Sequence, residues 1–378
     1  ILQPAGQSRS ILHLSTIDGF QTNHRHLRTF ILGDDISIRV KAVMAALKKA
    51  GVLHPGIVGH KLVLEKIFYQ FCNLSLAPVT LVFVFDGPGR PPIKRDTRVI
   101  HRGSWLMGRL KKMITYFGFH YFDARCIFPA APGEAEAELA HLNSYSFIDG
   151  ILTQDSDAFL FGARLVIRTT GPSVQDSSAV YSMDAIKNSV DLTRGGLLLC
   201  VLLLGGDYDK GFRGVGPTIA YPLARLFGPL LLHYWMDFTG EERSRKLASW
   251  RAVVGWELQR NPRGEFPRCY PHLVIPESFP NPHVINLYTD PLVSGSLRYT
   301  GPAPDVAAWK PQQPDIQSIS TFCTDTFGWR GEHLEEKFRS KLWPAMTFRL
   351  ISSVSLHSIR LLERCMIEIP TAKCGVSS

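Results

Sequence analysis

Long apolar runs are missing from this chain of 378 residues: the longest, Leu197–Leu204, is far below the ~18 residues that suggest a membrane span. Cysteine is sparse and scattered. The seven residues (72, 126, 200, 269, 323, 365 and 374) form no CxxC and no Cys/His ligand spacing, which excludes a zinc-finger framework. A reduced compartment with mostly buried thiols is the simplest reading. No internal repeat and no long low-complexity tract is present, which sets aside a solenoid. The chain opens on Ile1, not on methionine, so no targeting segment is read from it. Acids are outnumbered, 33 against 42 Lys and Arg, for a net charge of +9. That balance favours a polyanionic partner without specifying one.

What is present suits an ordinary globular protein with ample core, at 45% apolar and 20% charged residues. The first strand signal is Thr29–Leu32, ending in Gly33-Asp34-Asp35, followed by amphipathic helices over about Ile38–Ala50 and Lys61–Cys72. Thr80–Phe85 is a continuous apolar run of the kind buried on both faces of a parallel sheet, and it ends in Asp86. Further strands are expected at Gly150–Thr153 and Arg164–Arg168. Helices are expected over Leu197–Leu204, over 217–226, and at about 241–259 and 335–366. Residues 1–27 show no clear periodicity, and 261–314 are Pro-rich. Alternating strands and helices predict an α/β fold with a mostly parallel sheet.

Two pairs of acids stand out in the stretch Ala131–Phe161: Glu134 and Glu136 behind Pro132-Gly133, then Asp155 and Asp157 after a short apolar strand. Acids brought together repel one another unless a positive charge sits among them, and a divalent cation is the economical choice. Asp34/Asp35, Asp86 and Asp155/Asp157 all end strands, and in an open α/β sheet the ligand crevice lies beyond those carboxyl ends. Asp155 and Asp157, two apart, share one side of an extended segment. On a regular helix Glu134 pairs with Glu138 rather than Glu136. Taken singly, the glutamates also suit a helix N-terminus, and Asp86-Gly-Pro suits a turn.

FVFDGPGRPPIKR, APGEAEAELA, ILTQDSDAFLFGA and LLLGGDYDKGFRGVGPTIA occur in the order and approximate spacing of the XPG/flap-endonuclease superfamily, which this chain resembles over roughly residues 28–228. The resemblance implies a PIN-like fold and a structure-specific 5′ nuclease. It implies that Asp35, Asp86, Glu134, Glu136, Asp155, Asp157 and Asp207 hold two Mg²⁺ ions, with Mn²⁺ able to substitute. Such a pair, ~4 Å apart, activates a water for in-line attack and stabilises the leaving oxygen. Glu136 then replaces Glu138 as the partner of Glu134, and Glu138 is expected to be a surface acid. In the basic stretch after Asp86, Lys94 matches a lysine set against the scissile phosphate; Arg95 and Arg102 are further DNA contacts. Gly214, Gly216 and Thr218 open a helix-two-turn-helix that grips duplex phosphates, with a monovalent cation there. The implied organisation is a nuclease core at 28–205 with a short basic arch at about 88–125, the helix-two-turn-helix region at 206–260, and an extension at 261–378. The implied partner is branched or flapped DNA, the implied compartment the nucleus.

The sequence departs from the family in places. No Met-Gly-hydrophobic-Gly-Leu-Trp motif opens it. Asp35-Ile36-Ser37 fits the first acidic motif with Asp34 as an extra acid, and Arg39 stands where an aromatic is common. A sliding-clamp motif is not recognisable. The short arch and GlyGlyAspTyrAsp are similar to the fungal Holliday-junction-resolvase branch, as are FPNPHVINLYTDPLV and PDIQSISTFCTDTFGW; that branch leaves a dimer on junctions open. Two alternatives remain: an inactive PIN-like paralogue that binds nucleic acid, and a haloacid-dehalogenase-type phosphohydrolase. The latter requires Asp-x-Asp on the first strand, where FVFDG has one Asp.

Overall fold

The computed structural model describes residues 1–351 other than 24, 26, 52–59, 92, 95–96, 99–104, 124–132 and 172. In chain order its strands are β1 (Gln7–Ser10), β2 (Phe30–Asp35), β3 (Val79–Phe85), β4 (Ile93–Lys94), β5 (Thr97–Arg98), β6 (His120–Asp123), β7 (Gly150–Leu152), β8 (Leu165–Thr169) and β9 (Ser177–Ser182). Its helices are α1 (Ile11–Leu14), α2 (Ile36–Lys49), α3 (His60–Leu74), α4 (Trp105–Tyr116), α5 (Ala135–Ser144), α6 (Met183–Val190), α7 (Arg194–Leu204), α8 (Pro217–Asp237), α9 (Gly240–Arg260), α10 (Pro282–Thr289), α11 (Ile316–Phe327) and α12 (Gly331–Lys337).

Seven strands form one sheet in the order β1-β9-β8-β7-β2-β3-β6. β8, β7, β2, β3 and β6 run parallel; β9 is antiparallel to β8 and β1 to β9. The order reverses around β7 and β2, the place where a ligand crevice forms. Side chains alternate across β2 and β3. Ile31, Val82 and Val84 face a layer holding α5 and α7, while Phe30, Leu32, Leu81 and Phe83 face the layer of α2, α3 and α4. The result is helix, sheet, helix. Gly33 lets α5 come down on β2, because a Cβ there would lie 2.4 Å from Leu139 and 2.6 Å from Ile148.

Several elements differ from the sequence reading for identifiable reasons. β1 arises in the stretch without periodicity, because it pairs along the edge through its backbone and its polar side chains carry no apolar pattern. α8 runs past residue 226 to Asp237 with Pro222 and Pro229 inside it. Its close packing on α7, where Gly228 sits against Gly195 and Gly196, outweighs the helix-breaking tendency of proline. Helical turns begin at Gly331 rather than 335 and continue to residue 351; later positions lie outside the described residues.

The Pro-rich region does not stand apart. α11 packs on α3 and α4, where Phe322, Phe327 and Trp329 join Phe68 and Phe117 in an aromatic cluster. Before α11, Lys310 and Gln312 run beside the end of α4 and the start of β6. There the Lys310 carbonyl meets His120 Nε2 at 2.8 Å, and buried Arg349 donates to the Phe117 and Gln312 carbonyls at 3.1 and 3.0 Å. Among the described residues, no helix is long and apolar enough to cross a membrane.

Candidate metal centre

Alternation along β2 separates its two terminal acids. Asp34 turns toward α2 and α3, where it is buried against Arg39, whose Nη1 also donates to Gln70 at 3.0 Å. The two departures from the family pattern at 34 and 39 are therefore one ion pair. Asp35 turns the other way, toward α5, and caps α2: its Oδ1 accepts from Ser37 N at 2.7 Å and Ile38 N at 3.3 Å. Burial, and then the negative charge of Asp86, push its carboxyl up to about 8 against the pull of those amides. A buried carboxylate with a second, half-buried one beside it forms a site that favours a cation.

Asp86 follows β3 and reaches across to α5. Its Oδ1 accepts from Ala135 N at 3.1 Å, so it caps α5 from outside the helix, and its Oδ2 accepts from Arg90 at 2.8 Å. Glu134 occupies the N-cap position of α5 in an extended conformation but makes no side-chain cap. With that role taken by Asp86, its Oε2 accepts instead from the Tyr208 hydroxyl at 2.7 Å. Glu136 is buried one residue into the helix. The helical spacing rule does not govern Glu134 with Glu136, because the first of them precedes the helix.

Asp155 and Asp157 follow β7 but do not share an extended segment. Ser156 has helical angles and Asp157 opens a short 3₁₀ turn over Asp157–Phe159, with its N–H bonded to Asp155 Oδ1 at 3.1 Å. The Asx-type turn favoured by Asp at the strand end displaces the extended geometry that period-2 spacing suggests. Asp207, buried beyond α7, lies close enough that its charge, with those of Asp157 and Glu134, raises the proton affinity of Tyr288, after burial itself. Tyr208 is raised in the same way, by burial first and then by Glu134.

Glu138 is not a surface acid. It is 1% exposed, accepts from Ser294 N at 2.7 Å and from the Ser294 hydroxyl, and burial raises its carboxyl above the ordinary range despite those bonds. Its position on α5 faces segment 291–296, which the helix pattern alone could not supply.

The remaining sequence candidates fall elsewhere. Lys94 lies in β4, a two-residue ribbon with β5; Arg95 and Arg102 lie outside the described residues. Gly214, at φ +88°, turns the chain before Gly216, the N-cap of α8, and Thr218 is exposed in the helix's first turn. Tyr208 and Tyr288 were missed as site residues. Tyr208 adjoins Asp207 in a quoted motif, which could have flagged it; nothing local marks Tyr288, which arrives from a distant helix.

Among the described residues, no three His, Cys, Asp or Glu side chains are grouped so as to hold an ion. Asp86 is engaged by Arg90, Glu134 by Tyr208 and Asp155 by its own turn. The donor set is nevertheless all carboxylate, the hard oxygen chemistry that Mg²⁺ takes, and the mutual repulsion of Asp35 and Asp86 is what such an ion relieves. In donor type the site fits a divalent cation.

Residues 127–207 match the XPG I-region. The chain is similar to the DNA repair protein rad13 of Schizosaccharomyces pombe, 27% identical over 237 residues, spanning 61% of this chain and 19% of that protein. It is similar also to the Flap endonuclease GEN homolog 1 of Mus musculus, 33% identical over 179 residues, spanning 43% and 20%. The chain thus spans about a fifth of the length of these curated relatives. Its fold matches a crystal structure of the Holliday junction-resolving enzyme GEN1 with product DNA and Mg²⁺ at a TM-score of 0.67 and 26% identity, over 91% of this chain and 77% of that one. Related GEN1 structures hold Mn²⁺ beside Mg²⁺, or bind potassium. With its acids on the carboxyl edge of a mostly parallel sheet, the chain carries an XPG I-region at 127–207 and a PIN-like nuclease fold similar to that of GEN1.

Proposed function

We propose that this chain is a Mg²⁺-dependent, structure-specific DNA endonuclease that hydrolyses phosphodiester bonds near branch points in nuclear repair or recombination. The observation that supports the reading is that acids at the ends of β2 and β3, at the start of α5 and in the turn after α7 lie along one sheet edge, where Asp86 accepts from the first amide of α5, Glu134 accepts from Tyr208 beside Asp207, and Asp35 and Asp86 repel each other. Asp35, Asp86, Glu134 and Glu136 would hold one Mg²⁺ and Asp155, Asp157 and Asp207 a second, with Mn²⁺ as a substitute. Bound ions would supply a hydroxide-like nucleophile and neutralise charge on the leaving oxygen. Asp35 and Asp86 orient their carboxylates through backbone amides, and so keep the donors in place before substrate arrives. Lys94 would meet the phosphate, with Arg95 and Arg102 beside it on the arch. The backbone around Gly214, Gly216 and Thr218 would grip duplex phosphates, with a monovalent cation in that turn.

A second reading, a paralogue that binds branched DNA without cutting it, draws on the ion pair that closes Asp86 with Arg90. One experiment separates the two. Labelled flap, splayed-arm and four-way-junction DNA are incubated with the chain in Mg²⁺ or EDTA, beside Asp155→Asn. The nuclease reading expects Mg²⁺-dependent cuts near the branch that disappear in the variant. Binding without cleavage supports the second reading, and cleavage that survives Asp155→Asn condemns the site assignment.

A further inference from the structure

The α5 helix, which follows Glu134 and carries Glu136, is held by a segment that begins at α10, about 150 residues further along the chain. Three contacts join them. Just before the helix, Gly133 N donates to the Leu292 carbonyl at 2.7 Å, while the Gly133 carbonyl accepts from Gly87 N at 2.8 Å, next to Asp86. One turn into the helix, Glu138 takes both the N–H and the hydroxyl of Ser294. Further along, Gly295 approaches His141 so closely that a Cβ would lie 2.3 Å from the ring.

The same segment reaches the acids through a pair of phenols. Tyr288 of α10 is fully buried against Tyr208, with ring centroids 4.8 Å apart, and against Phe161 at 5.6 Å. Tyr208 in turn donates to Glu134. The Tyr288 hydroxyl stands over Gly206, where a side chain would meet it at 2.8 Å. Arg194 fixes this arrangement from α7, donating to the Leu160 carbonyl at 2.8 Å and the Tyr288 carbonyl at 3.2 Å.

From these contacts we infer that segment 282–296, together with Tyr208 packed on its Tyr288, is a brace that sets the α5 glutamates for metal binding, Tyr208 and Ser294 being the positioning residues; this rests on the nuclease reading. A hydrogen-bonded Glu134 has one orientation, and a Gly133 tied on both sides fixes where the helix starts. Partners of this kind, bonded to a ligand rather than to the ion, commonly set metal affinity by 10-fold or more.

The test titrates Mg²⁺ against the folded chain and reads the rise of its thermal midpoint, and separately the Mg²⁺ dependence of cleavage. Tyr208→Phe keeps the ring and removes the bond to Glu134; Ser294→Ala loosens the helix without touching an acid of the set. Ser318→Ala is the matched control, because Ser318 gives its N–H and hydroxyl to Asp315 at the start of α11, remote from α5, just as Ser294 does to Glu138. The brace predicts that Tyr208→Phe raises the half-saturating Mg²⁺ about 10-fold in both readouts and Ser294→Ala several-fold, with Ser318→Ala unchanged. Unchanged Mg²⁺ dependence in Tyr208→Phe and Ser294→Ala overturns the brace. An equal shift in Ser318→Ala overturns it as well, by reducing the effect to general stability. If the parent chain itself shows no Mg²⁺-induced rise, the metal reading falls first, and the brace with it.

Discussion

The two halves of the acidic edge are held by different means. Asp35 ends β2 and Asp86 follows β3, and their oxygens are fixed by amides at the starts of α2 and α5. Glu134 accepts from Tyr208, which lies beside Asp207 in the turn after α7 and packs on Tyr288 of α10. The first half is a property of the sheet; the second is assembled by tertiary packing across much of the chain. Backbone amides cannot be mutated away, whereas phenols can, so the second half is the more easily tuned and the more easily lost.

Removing a carboxylate from the sheet half breaks the comparison most severely. Asp86→Ala removes both a candidate ligand and the cap of α5, and cleavage of a flap substrate is expected to fall by about 10³-fold or more, equivalent to roughly 4 kcal/mol of barrier. Parallel assays at saturating DNA will show it as a loss of turnover. Next in size, Gly33→Val forces α5 away from β2, because its first carbon alone would overlap Leu139. A loss of about 1–3 kcal/mol in urea unfolding is expected from such overpacking, together with weaker Mg²⁺ binding.

Arg349→Met sharpens the contrast from the other end. Its buried guanidinium, pulled down to about 10 by burial, donates to two backbone carbonyls. Stability is expected to drop by about 1–3 kcal/mol while cleavage per folded molecule and its Mg²⁺ dependence hold, since Arg349 ties residue 312 to α4 and not to α5.

Much of the sheet half was legible in the sequence because β2 and β3 are continuous apolar runs that end in acids, and burial on both faces writes that pattern directly. Alternation along β2 also puts Asp34 and Asp35 on opposite faces, Asp35 on the face of α5. The second half was legible only as motifs. Tyr288 and Ser294 carry no local signal, since their partners Tyr208 and Glu138 lie far away in the chain, and Glu138 was misread for the same reason. β1 was invisible because a polar edge strand is specified by backbone pairing. The Asx turn at Asp155 was missed because two residues of spacing were read as extended chain.

A smaller effect reports on charge. In EDTA, Asp35→Asn is expected to raise the thermal midpoint by about 2 °C or more at pH 8 and to change it little at pH 4. The sign follows from a folded carboxyl raised from 3.8 to about 8: the protonated form is favoured in the fold, so the stability it contributes is full below about pH 4 and is lost as pH rises toward 8. The variant never acquires the charge. The smallest effect should come from the far side of β2. Asp34→Asn and Arg39→Met, singly and together, are expected to show a coupling of about 1 kcal/mol in stability with little change in cleavage. A large activity loss in Asp34→Asn would move the first acid of the site from Asp35 to its neighbour.

Anomalous diffraction from crystals soaked in Mn²⁺ decides whether the strand-end acids bind divalent metal. Anomalous peaks are expected at the carboxyl edge of the sheet, within ligand distance of Asp35, Asp86 or Glu134 on one side and of Asp155, Asp157 or Asp207 on the other. Well-ordered crystals with Mn²⁺ bound only elsewhere, and Arg90 still closed on Asp86, would contradict it.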